Sequence, residues 1–81
     1  MAISTTMLRV SALAPETLIG IIKGHIPNAD FDHLLVDYHA FRMTHWVCFM
    51  KGHKELGMLE VESAGDLLSE VNLAKIVLMC G

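Results

Sequence analysis

Five histidines and two cysteines are the residues in this chain best able to do chemistry: His25, His33, His39, His45 and His53, with Cys48 and Cys80. Imidazole and thiolate are the usual ligands of zinc and of copper, so His45 and Cys48, with His33, His39 and His53, form a candidate transition-metal set. Spacing weighs against it. His45 and Cys48 are three residues apart, which puts them on one face of a helix but on opposite faces of a strand. No Cys-x-x-Cys or His-Glu-x-x-His pattern is present. The expectation is that no metal or other cofactor is held and that the histidines are ordinary surface or core residues.

Nucleophilic catalysis has no better support. There is no Gly-x-Ser-x-Gly elbow. Cys48 lies inside an apolar run, where burial raises a thiol's pKa and leaves it inert. Glu60, Glu62, Asp66 and Glu70 could pair as acid and base, but they also suit the solvated end of a strand and the start of a helix, where the helix dipole favours them. A chain this small encloses a pocket of useful size chiefly by pairing with another chain, so a small enzyme with its site at a dimer interface is the second alternative, after the metal binder.

The side chains that remain are apolar ones. Of 81 residues, 53% are hydrophobic and only 19% charged, with a mean hydropathy of +0.48, which is more apolar surface than a single domain of this length hides. The reading that follows is a non-enzymatic protein-binding module, a regulator, inhibitor or adaptor, and a homodimer. Tyr38, Trp46, Phe49 and Met50 are the expected contact residues, because Trp and Tyr dominate interface hot spots and Met adapts to irregular partners. Core positions for Trp46 and the methionines are the competing expectation. Chains of this size without a motif are common among viral and phage accessory proteins.

Charge and length narrow the partners. Six Lys plus Arg against nine Asp plus Glu give a formal charge of −3, without the basic patch that nucleic-acid binding uses. No apolar run approaches the ~18 residues of a membrane span. Two cysteines and no secretory signal point to a reducing compartment, the cytoplasm. A faint presequence character over residues 2–14 rests on Arg9 alone.

The elements that must position these residues centre on Thr44 to Val61, THWVCFMKGHKELGMLEV, read as two strands around a Lys51-Gly52-His53-Lys54 turn. In the first arm Trp46, Cys48 and Met50 point one way and His45, Val47 and Phe49 the other. Both sets are largely apolar, so the strand is central with both faces covered, or the run is a segment of a buried helix. Before it, Thr5 to Ala12 alternates as a strand, and Pro15 to Ile26 carries Leu18, Ile19, Ile22 and Ile26 on one helical stripe, with Glu16 and Lys23/His25 at the matching ends. Gly20 and Gly24 fit as tolerated helical glycines.

Asp30 to Phe41 fits both templates. As a strand it turns Leu34, Val36 and Tyr38 inward; as a helix it runs on to about residue 50. After Glu55 to Glu62, Ser63 and Asp66 resemble a capping box opening a helix with Leu67, Leu68 and Val71. Leu73 to Cys80 continues that helix or forms a last strand. The whole is one domain, residues 1–81, of the α+β class: an antiparallel sheet with two helices on one face. The alternative is a mostly α fold with a long helix over about 30–50. In the α+β reading nothing further along the chain covers the second sheet face.

Overall fold

The structure, a computed structural model, describes residues 14–81. The expected strand Thr5–Ala12 and the presequence-like stretch lie outside the described residues, apart from Ala14. In chain order come α1 (Pro15–His25), β1 (His33–His39), β2 (Thr44–Lys51), β3 (Lys54–Val61), α2 (Ala64–Leu67) and α3 (Glu70–Cys80). The strands form one antiparallel sheet in the order β1-β2-β3, so β2 is central. This is the α+β arrangement. The long helix over about 30–50 does not form. Its stripe was real, but β2 gains backbone hydrogen bonds from two neighbours, a non-local term that no stripe displays.

Helix α1 begins at Pro15, where a missing N–H costs nothing, with Glu16 in its first turn and Lys23 and His25 in its last. Leu18 and Ile22 face the core. A Cβ at Gly20 or Gly24 would meet open space, so neither glycine serves a close approach. The second helical region divides in two where one helix was expected. Ser63 accepts the Asp66 N–H at 3.1 Å and the Asp66 carboxylate accepts the Glu62 N–H at 3.1 Å, closing a relative of the capping box. Ser69 then starts α3, which continues through Cys80 in place of a last strand. The buried Asn72 ties the two together by donating its side-chain N–H to the Asp66 carbonyl at 2.7 Å.

Cross-strand partners share a face, so the register sorts the sheet without ambiguity. Leu34 opposes Phe49, Val36 opposes Val47, and Val47 opposes Leu59. These residues meet Leu18, Ile22, Leu67 and Ile76 in one core, with Phe31 edge-on to Phe49 at 5.3 Å between centroids. All three described helices therefore cover the same sheet face. Helix α3 lies close enough that a Cβ at Gly57 would collide with the Met79 thioether. Between Phe49 and Met50 the register slips, leaving Leu56 unpaired as a bulge; Leu56 packs against the core.

The β2–β3 turn has Gly52 at φ +61°, the left-handed region that glycine enters without a side-chain penalty. It is moored to the segment ahead of β1. Gly52 N–H donates to Asp32 at 2.8 Å, Lys51 Nζ to Asp30 at 2.8 Å, and Asp32 N–H to the Met50 carbonyl at 2.9 Å. The Gly52 N–H first, and then His33, hold the Asp32 carboxyl below its ordinary pKa, while Asp30 raises that of Lys51. Asp30 N–H also reaches the Cys80 carbonyl at 2.9 Å, which satisfies a helix-end acceptor.

Candidate docking surface

The pleat that buries Val47 and Phe49 turns their chain neighbours to the opposite side. On that open face Trp46 lies between Asp37 on β1 and Glu60 on β3, Cys48 between Leu35 and Met58, and Met50 between His33 and Glu55. None of the described helices covers it. Leu35 is 54% exposed and Met58 46%, whereas Val47 and Phe49 are 0% exposed. Trp46, Cys48 and Met50 are half-buried.

Trp46 is the most constrained of these. The His39 ring stacks on it at 5.2 Å and 23° between planes. Its indole N–H completes no hydrogen bond of good geometry among the described residues, although it contributes to the field around Glu60. Glu60 accepts the Thr44 hydroxyl at 2.6 Å and Arg42 Nε at 2.9 Å. The Thr44 hydrogen bond above all, with the Trp46 indole and Arg42, keeps the Glu60 carboxyl below its ordinary pKa. The Cys48 thiol donates to Glu55 at 3.0 Å and touches the Met50 sulfur at 3.9 Å. Burial first, then the hydrogen bond to Glu55 and last its charge, push its pKa to about 11, so near neutrality it is a thiol rather than a nucleophilic thiolate.

The structure separates the four expected contact residues. Trp46 and Met50 lie on the open face. Phe49 leaves the set, because it points into the core and is fully buried. Tyr38 is 56% exposed but belongs to the other side of the pleat, against the His45 ring at 4.8 Å. Leu35 and Met58 join the surface. Their signal was available in the alternation of β1 and β3, since Leu34 inward requires Leu35 outward.

The candidate metal ligands disperse for the same reason. His45 lies with Val47 on the helix side, where burial lowers its pKa and Nδ1 has no hydrogen-bond partner among the described residues. Cys48 lies on the other side, with His33 and His39, and His53 occupies the turn. No three His, Cys, Asp or Glu side chains among the described residues gather as a metal site. His33 does contact Asp32 at 2.6 Å, but the pair is half-exposed and Asp32 is engaged in mooring the turn. A shallow depression lies between Arg42, Met43, Thr44, Glu62 and Ser63. Its hydroxyls are committed, that of Thr44 to Glu60 and that of Ser63 to the cap of α2. No described helix is long and apolar enough to cross a membrane.

Comparison with models of protein families, with curated proteins and with solved structures finds no match for this chain.

Proposed function

We propose that this chain is a small non-enzymatic protein-binding module, a regulator, inhibitor or adaptor, whose docking surface is the open sheet face. One observation carries the reading: Leu35, Trp46, Cys48, Met50 and Met58 form a contiguous apolar centre on a face that none of the described helices covers. An antiparallel sheet with one solvated face normally presents polar side chains there. Contiguous exposed apolar surface is a feature of sites that bind. The carboxylates around it suit a protein better than a nucleic-acid backbone or an anionic membrane surface. A cytoplasmic setting belongs to the same proposal, because Cys48 and Cys80 are both free thiols.

The test is capture from the native host with the tagged chain, beside a Leu35→Asp/Met58→Asp variant whose circular dichroism matches the parent. Partners that bind the parent and are lost from the variant support the reading. Undiminished capture by the variant overturns it.

Self-association is a second reading with its own observation. Helix α3 exposes Val71 at 65% and Leu78 at 87%, seven residues apart on its outer surface. A dimer paired through α3 sediments as twice the chain mass and reverts to one copy on Leu78→Glu. A parent that sediments as one copy at micromolar concentration removes this reading and leaves the first intact.

A further inference from the structure

The charges around the open face are arranged unevenly. Lys51 and Lys54 are cross-strand partners that share the helix-covered side with Phe49, and Lys23 sits over the Phe31 ring at 5.0 Å. Lys75 is on α3, behind the sheet. Among the described residues Arg42 is therefore the cation at the open face, and Glu60 already holds it. On the strands of this face two carboxylates have no cationic partner among the described residues: Asp37, which makes no ion pair there, and Glu55, which accepts the Cys48 thiol.

They stand at opposite corners of the apolar centre. Asp37 is level with Trp46 on one outer strand, and Glu55 is level with Met50 on the other. Four residues along the strand and two strand spacings across put their backbones about 16–17 Å apart on a diagonal.

A segment laid on a sheet face, rather than along an edge, has no sheet backbone groups to bond. An extended chain there would hold its own N–H and C=O groups against apolar side chains, whereas a helix satisfies them internally. The spacing agrees. Eleven helical residues rise about 16.5 Å and complete three turns with about 20° to spare, which returns to the same face. An extended chain covers that distance in about five residues, an odd number that points the two ends to opposite sides.

Resting on the protein-binding reading above, we infer that the open face receives an amphipathic α-helix of a partner protein. That helix carries Lys or Arg at positions i and i+11 to meet Asp37 and Glu55, and apolar residues near i+4, i+7 and i+8 to cover Leu35, Trp46, Cys48 and Met58. A second copy of this chain does not supply it, because no two of its six Lys and Arg are eleven residues apart. Helices α1 and α3 each contain a single lysine, Lys23 and Lys75.

Trp46 is the sole tryptophan and reports directly on this surface. The experiment titrates the full chain, by its emission, with two synthetic amphipathic helical peptides that share a leucine stripe and carry either Lys or Glu at i and i+11. The lysine peptide is expected to shift the Trp46 emission saturably. Asp37→Lys and Glu55→Lys should each weaken it about fivefold or more, with less effect at high salt. The double variant should prefer the Glu peptide.

Equal binding of the two peptides would overturn the charge match. Absence of a shift with either would overturn the helix assignment. Host capture that depends on Leu35 and Met58 is scored separately, so the broader reading stands or falls by itself.

Discussion

Trp46 and Val47 are bonded neighbours that meet opposite surroundings. On one side of β2, Val47 and Phe49 are sealed beneath three helices with Leu34, Leu59 and Val61. On the other, Trp46, Cys48 and Met50 lie beside the side chains of β1 and β3, and none of the described helices covers them. The two sets are similarly apolar, and only one is needed to make a core. A sheet selected for folding alone would place Thr, Lys or Glu across its solvated side, which also discourages association. The difference separates two uses of the same residue types: burial that pays for chain entropy on one face, and unspent burial on the other that a partner could complete.

The sharpest way to break that contrast is truncation on each side. Phe49→Ala is expected to destabilise the fold by about 3–5 kcal/mol through lost contacts and a cavity, and Trp46→Ala by less than about 1.5 kcal/mol despite removing the larger ring. Urea denaturation measures both. Equal costs would mean that the two faces are not distinct.

Adjacent positions on β3 give a smaller and more local version. Gly57→Ala pushes a methyl group into Met79 and is expected to cost about 1–3 kcal/mol, whereas Met58→Ala, on the open side, should stay within about 1 kcal/mol. Combining Gly57→Ala with Met79→Ala should recover the clash as a coupling energy, and strictly additive effects would show that Met79 moves aside freely.

The two thiols compare the faces with little change in stability. Cys48 should react with iodoacetamide in the native state and Cys80, buried beneath the sheet, only on unfolding. The Cys48 rate should rise with pH toward a midpoint of about 11 and shift to lower pH in Glu55→Gln, since burial, then the hydrogen bond to Glu55 and its charge hold the proton on sulfur. The linked stability has a definite sign. Because the folded thiol's pKa is raised from about 9 to about 11, its contribution is complete below pH ~9 and is lost as pH rises through that window. A native Cys48 that titrates near 9 would place it in open solvent.

Much of the fold was readable without coordinates, and the particular residues show why. Helix α1 announced itself through Pro15, its end charges and the Leu18–Ile22 stripe, all short-range terms. The hairpin did so through Gly52 between two β-rich arms, and the split between Trp46 and Val47 followed from the pleat alone. Residues 30–41 read only narrowly as a strand, because Leu34, Leu35 and Tyr38 satisfy a helical stripe while Leu34, Val36 and Tyr38 satisfy an alternating one. Leu73–Cys80 was undecided in the same way.

What the amino-acid order determined by itself was local: where elements start and stop, which side chains alternate, and that the apolar content exceeds the needs of one small core. Tertiary structure alone decided which side of β2 became that core. It placed Phe49 beneath helices, left Met50 outside them, separated His45 from Cys48, and set Asp37 and Glu55 at opposite corners of one surface. The reason is physical. Alternation specifies two faces but not their fates, and the choice falls to the helices, whose packing against one face is a long-range interaction between residues far apart in the chain.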